Sequence, residues 1–566
     1  MIAHQSPISG VAAYDGRFIA TAGYDNQIIL WDAANKIALA RVWHDHLANQ
    51  LEFSPDGQYL VSASSDTSAR LWSVPSMKLL AVMSDHGDDV EMAIFHPSQS
   101  LIATASRDHQ VRVFNFEGRL ICRFQGHTAD VISIAWNTAG DGLISSSDDG
   151  TLKHWSLHTQ TLVSDIDLGG IETDTIAIAQ DGRIYAGNDV GQIITLSASG
   201  TERMPAHDSG IKRLIYQDSD QLLVSLSYDR FLKIWQCSAG RIDLIAQSAI
   251  PAQIWPRSCA FLDSNTLVFA TFGSSYASFD IASGQWDLRQ VDPTQGVNAV
   301  IAHPAGRMTI GDAGTLRING RASSETGSLC NFLTAAGGQV FTGGQTGELF
   351  NARTGQGIYQ HKSPLNCGTA FMRHGVAHVL IGTYTGEGLV FAVSKEGATA
   401  LVGTLQLHEN AVKAVAASNS LIFSVCADTS AAWFSIQDLR EKARKKQAHG
   451  RIANGCAALP GDRFISISRD RQLRIWEDFS VTTVPTPHSH SIKCVAASTD
   501  GRFIASGSYG GCVAIYDTHH QHWLPCERPT ASGISSLCFD AAAAQFLAGS
   551  YDGQIYQISS APLPSI

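Results

Sequence analysis

Nothing in this sequence marks a route into or across a membrane. No apolar run reaches the roughly 18 residues that a bilayer-crossing helix needs, and the opening MIAHQSPISGVAAYDGRF lacks the basic stretch and apolar core of an export signal. The expectation is a soluble chain that is neither membrane-inserted nor exported. Paired cysteines are missing as well. The eleven, at 122, 237, 259, 330, 367, 426, 456, 494, 512, 526 and 538, form no CxxC, and most sit in alternating apolar segments. That pattern reads as buried reduced thiols and implies the cytoplasm. Positive charge is scarce: 40 Lys and Arg against 51 Asp and Glu leave a net −11, which disfavours nucleic acid as a partner. There is no P-loop, no GxGxxG after a strand, no GxSxG elbow and no HExxH. The glycine-rich GGQTGELF (343–350) lies in a turn between strands with no helix behind it to cradle a phosphate. No cofactor is implied, and an enzyme reading rests only on analogy of fold.

What is present is a repeat. At 566 residues the chain is long enough for two to four domains, and 50 glycines with only 16% charged residues point to a turn-rich β protein. FSPDGQYLVSASSDTSARLWS (53–73) returns as FHPSQSLIATASRDHQVRVFN (95–115), WNTAGDGLISSSDDGTLKHWS (136–156) and LPGDRFISISRDRQLRIWED (459–478). Each copy holds two alternating segments around an Asp-containing turn. The closing aromatics Trp31, Trp72, Phe114, Trp155, Trp235, Phe434, Trp476 and Tyr516 are spaced by 40 to 42 residues or a multiple of about that. Weaker units end near Leu196, Phe279, Asn319, Phe350, Phe391 and Ile558, for about fourteen in all. Units of this length with four short strands are propeller blades, and propellers close with 4 to 8 of them.

The sequence at this point resembles the WD40 family, on LWD (30–32), LWS (71–73), IWE (475–477), IYD (515–517) and a His some 28 residues before several of these aromatics. The resemblance is strong over 1–240 and 405–558 and poor between about 245 and 400. It implies an all-β fold of two seven-bladed propellers in tandem, one over 1–290 and a partly degenerate one over 291–566. The boundary falls in QWDLRQVDPTQGV (285–297). The tail SSAPLPSI is a poor outer strand, so the N-terminal MIAHQS is expected to cross over and complete the last blade.

The stretch HTADVISIAWNTAGDGLISSSDDGTLKHW (127–155) carries the residue types of a hydrolytic triad. The resemblance implies a different role, a buried His–Ser–Asp–Trp hydrogen-bonded set that braces each blade. By position the sets are His44, Ser62, Asp66 and Trp72; His127, Ser145, Asp149 and Trp155; His207, Ser225, Asp229 and Trp235; and His449, Ser466, Asp470 and Trp476. A catalytic triad occurs once, whereas this one recurs. Partial sets are His86, Thr104 and Asp108 with Phe114, and His408, Ser424 and Asp428 with Phe434. His488 and Ser506 have Gly510 where Asp is expected.

Binding is expected at the residue just before each turn Asp: Tyr24, Ser65, Arg107, Asp148 and Tyr228 in the first ring, and Arg469, Tyr509 and Tyr551 in the second. Tyr and Arg are enriched at interface hot spots, although a Tyr can equally pack on its neighbours and an Arg be solvated. DLREKARKKQAHG (438–450), with Arg440, Lys442, Arg444, Lys445 and Lys446, reads as a solvated edge strand before it reads as an anion site. HDH (44–46), HSH (488–490) and HHQH (519–522) lack a metal-site spacing, and no metal is assigned. The leading expectation is a non-enzymatic scaffold for proteins or peptide segments. A propeller enzyme or ligand-binding subunit, and an RNA-processing or chromatin adaptor, are the alternatives.

Overall fold

A computed structural model describes residues 2–238, 241–395 and 397–559. The described residues are all β, in fourteen antiparallel sheets, thirteen of four strands and one of three, with strands ordered along each sheet as along the chain. The first sheet, Ile8–Tyr14, Phe18–Gly23, Gln27–Asp32 and Ile37–Trp43, shows how the sequence writes the pattern. Its second strand, FIATAG, is buried throughout, as a strand covered on both faces must be. Its fourth, IALARVW, alternates exposed and half-buried side chains, as an outer edge does.

The chain divides into two compact units, Met1–Thr294 and Gln295–Ile566. In the first unit, apolar clusters lie between successive sheets. Ala20, Leu30, Leu51, Phe53 and Trp72, for example, join the first sheet to the second. Ile19 and Trp31 pack on Val268 and Tyr276, so the first sheet also meets the seventh. Val11 N–H donates to Ser258 Oγ at 3.0 Å across that junction. The second unit has the same internal junction, with Val300 N–H donating to Ser536 Oγ at 3.2 Å.

Two expectations change. Residues 2–7 form no strand; they lie in the first unit, where His4 N–H donates to Ser274 O at 2.9 Å. Their place is fixed by His4, whose imidazole completes a brace described below, and not by backbone pairing with the last sheet. Asn319 lies outside the third strand of its sheet, Thr315–Ile318, with a positive φ of 50°. The region 245–400 is otherwise read in phase, since Phe279, Phe350 and Phe391 all fall in third strands.

Candidate functional site

The braces come first because they position everything else. Trp72 Nε1–H donates to Ser62 Oγ (2.9 Å), Ser62 Oγ lies 2.7 Å from His44 Nε2, and His44 Nδ1 lies 2.8 Å from Asp66. The His127 set has 2.8 Å at all three contacts, and the His207 set has 2.9, 2.7 and 2.8 Å. The order of donation is indole to hydroxyl to imidazole to carboxylate, which leaves no polar atom of the chain unmatched. Burial pushes the Asp66 carboxyl up, but the His44 hydrogen bond and charge outweigh it and hold it well below the usual carboxylate range. Asp149 and Asp229 are held down in the same way. A further complete set was missed in the sequence: His4, Thr21, Asp25 and Trp31, with contacts of 2.8, 3.0 and 2.8 Å. Its signal was present, since His4 stands 27 residues before Trp31.

The fourth expected set is only partly assembled. His449 meets Ser466 at 2.8 Å and Trp476 donates to Ser466 at 2.8 Å, but His449 Nδ1 lies 3.2 Å from the Thr429 carbonyl instead of on Asp470. Asp470 is taken by Arg474 at 2.5 Å. The His86 sheet makes the same exchange, with Arg112 on Asp108 at 2.7 Å and His86 Nδ1 at 3.2 Å from Thr67 O. Arg70 holds the same position in the His44 sheet, yet it is shared with Asp45, the residue after the histidine. Where that residue is Gly87 or Gly450, it brings no second acid to the guanidinium. Burial, then the neighbouring Arg charge, lowers His86 and His449 to about 4.

The braced turns of the first unit gather charged and aromatic side chains at one end. Arg107 pairs with Glu91 at 2.5 Å and with Asp130. Arg257, from the seventh sheet, reaches the same Glu91 in the third at 3.1 Å. Lys212 pairs with Asp174 and Asp189 and sits 5.1 Å over the Tyr228 ring. Tyr24 meets Trp255 edge to face at 5.2 Å, and Arg257 lies 5.6 Å over that indole. Asp148 is half-buried, with Oδ1 out of solvent and unbonded. Burial, then Glu172, Asp174 and Asp130, push its carboxyl well above the usual range. Carboxyl groups outnumber cations in this belt. Glu91, Asp174, Lys212, Trp255 and Arg257 were not singled out in the sequence. For the four charged ones the signal was a charged residue interrupting an inner strand, as in DVEMAIF and GIKRLIY.

In the second unit Tyr509 and Tyr551 stack with ring centroids 6.3 Å apart and planes at 15°. Tyr551 is only 8% exposed, and Arg469 is half-buried. The basic run forms the outer strand Glu441–Lys445, with Arg444 paired to Glu441 at 2.5 Å and Lys442 to Asp438 at 3.7 Å. His520 Nδ1 contacts Asp517 at 2.9 Å. Among the described residues, His408, Cys426 and Asp428 bring ligand atoms within 4.8 Å of one another. Both His408 nitrogens are already bonded, to Ser424 at 2.9 Å and Ser430 at 2.7 Å.

Among the described residues no helix is long and apolar enough to cross a membrane. Six segments, 1–32, 39–73, 77–115, 118–156, 199–236 and 480–517, match the family described as WD domain, G-beta repeat. The chain is 28% identical over 199 residues to transcription initiation factor TFIID subunit 5 of Caenorhabditis elegans, over 34% of this chain and 31% of that protein. It is 20% identical over 270 residues to the transcriptional corepressor LEUNIG_HOMOLOG of Arabidopsis thaliana, over 40% and 34%. Against the guanine nucleotide-binding protein subunit beta-like protein of Encephalitozoon cuniculi it is 24% identical over 280 residues, 42% of this chain and 83% of that one. The chain thus spans about a third of the length of the first two relatives.

Proposed function

We infer that this chain, a WD40-repeat protein, is a non-enzymatic scaffold built as two seven-bladed propellers in tandem, which holds other proteins at the turn-bearing ends of its rings. Support for the ring count comes from seven sheets in each unit and from the packing of first on last sheet within each. The observation that carries the binding role is the belt of Tyr24, Tyr228, Trp255, Arg107, Lys212 and Arg257 among an excess of carboxylates. Such side chains, locked in place by packing and ion pairs, offer contact area and hydrogen bonds at little ordering cost. The excess of acid suits a protein segment that carries a basic residue. The cytoplasm is the proposed compartment.

The test is affinity purification with quantitative mass spectrometry, comparing wild type with Tyr24→Ala/Tyr228→Ala and with Tyr509→Ala/Tyr551→Ala, each first checked for an unchanged melting curve. Partners lost from one folded variant and retained by the other support the reading and assign the end. If every partner stays on both, docking at these ends is wrong. A second reading, a subunit of a transcription complex, is favoured by the similarity to TFIID subunit 5 and to the transcriptional corepressor LEUNIG_HOMOLOG. A fluorescent fusion concentrated in a nucleus would move the proposal there.

A further inference from the structure

The sheet made of Ile492–Ala497, Phe503–Ser508, Val513–Asp517 and His522–Trp523 carries an open brace. His488 Nε2 lies 2.9 Å from Ser506 Oγ, as in the complete sets. Gly510 stands in the place of the carboxylate, however, so buried His488 Nδ1, on a residue only 5% exposed, has no oxygen or nitrogen partner and is left to the Cys512 sulfur. A buried imidazole nitrogen without its usual carboxylate calls for an explanation.

Sulfur lies beside it. Cys512 follows Gly510 by two, the position held in sister sheets by Thr151 and Ser430. There the hydroxyl faces the imidazole: Thr151 Oγ1 is 3.5 Å from His127 Nδ1, and Ser430 Oγ is 2.7 Å from His408 Nδ1. The shared turn therefore presents the Cys512 sulfur to His488 Nδ1. A second cysteine arrives from the other side. Val513 and Glu527 exchange both backbone hydrogen bonds, at 2.8 and 3.0 Å, and Arg528 Nε–H donates to Gly510 O at 3.0 Å, so residues 526–528 run alongside 510–513. Cys526 is exposed and Cys512 half-buried, which leaves the pair open to a small solute.

We propose that Cys512 and Cys526 form an oxidation site that takes a hydroperoxide and closes to a disulfide, with His488 positioning the attacking sulfur. The Cys512 thiolate attacks a peroxide oxygen; the S–O bond forms, the O–O bond breaks, and the departing oxygen takes up the proton that the Cys512 thiol had released and leaves as an alcohol or water, giving a sulfenic acid. The Cys526 sulfur then attacks the Cys512 sulfur. The S–S bond forms, the S–O bond breaks, and the oxygen departs as water with the Cys526 proton. Two thiols are oxidised by two electrons and the hydroperoxide is reduced. The division of roles follows from the surroundings. Hydrogen bonds from Cys526 and then His488, against burial and with the His488 and Arg528 charges, hold the Cys512 thiol down at about 5, while Cys512 and then burial push Cys526 well up. The low-pKa sulfur is the attacker and the other resolves it.

The experiment exposes the reduced full-length chain to hydrogen peroxide, blocks free thiols and maps the products after chymotrypsin, which cuts between the two cysteines at Tyr516 and Trp523. A Cys512–Cys526 linked pair of peptides, reversed by dithiothreitol, is the expected product. Cys526→Ser should instead leave Cys512 as a sulfenic acid trapped by dimedone, and Cys512→Ser should leave neither. Ser is the residue a sister sheet carries there, so that variant is expected to keep its melting temperature. His488→Asn should slow Cys512 oxidation at least tenfold at pH 7 and slow it less at pH 9, a shift that loss of packing alone would not give. The proposal is overturned if Cys512 oxidises no faster than Cys538 in the same protein. It is equally overturned if Cys526→Ser yields no trapped sulfenic acid on Cys512, or if both sulfurs are found protected by a bound metal ion.

Discussion

Asp149 occupies one of four carboxylate positions that close a complete brace, accepting from His127 and from the Thr128 and Thr151 amides. Replacing it with Ala leaves the imidazole and two amides unmatched, a loss of about 1–3 kcal/mol. Chemical denaturation should show it as a lower midpoint with little change in slope. The Arg-for-His exchange on Asp108 and Asp470 makes a separate prediction about pH. With folded values of about 4, His86 and His449 bind fewer protons folded than unfolded. Their contribution is complete above about 6.5, the ordinary imidazole value, and is lost as pH falls from there toward 4. His86→Gln/His449→Gln should therefore start with a lower melting temperature at pH 7 yet lose less than wild type between pH 7 and 4.5. An equal or steeper loss in the variant would sink this account.

At the scale of the element, the hairpin between second and third strands is the repeating device. The residue after its Asp, or after the residue in that place, has a positive φ: Asn26, Thr67, His109, Gly150, Arg230, Thr429 and Arg471 all do. In the region where the polar marks fade, glycines continue the beat at 314, 347 and 386. That signal in DAGT, QTGE and YTGE was readable and keeps register where aromatics and histidines do not. This position is set by backbone geometry, so it persists where the hydrogen-bonding residues are lost. Gly386, at φ +85°, would place a Cβ 2.1 Å from His408 O. Gly386→Ala should cost at least about 1–3 kcal/mol, combining left-handed strain with a backbone clash, and thermal melting would measure it.

At the scale of the molecule, hydrogen bonds that close the first unit come from within it, including His4 to Ser274 and Val11 to Ser258. Residues 1–294 expressed alone should melt in one cooperative transition, while removing residues 1–7 from that fragment should lower its melting temperature through loss of the His4 brace. A fragment 1–294 that stays unfolded would show that the unit depends on the rest of the chain.

Periodicity, strand alternation and the recurrence of His, Ser, Asp and Trp at constant offsets were decided by the sequence alone, because each reflects contacts within about 30 residues that repeat. Three complete braces could be named from 44, 127 and 207 for that reason. Tertiary structure decided what depends on neighbours from distant sheets or on competition for one group. It took Asp108 and Asp470 from their histidines, where Gly87 and Gly450 bring no second acid to Arg112 and Arg474. It brought Arg257 to Glu91 across 166 positions of sequence. It set Cys526 beside Cys512, where a missing carboxylate had left His488 Nδ1 to a sulfur.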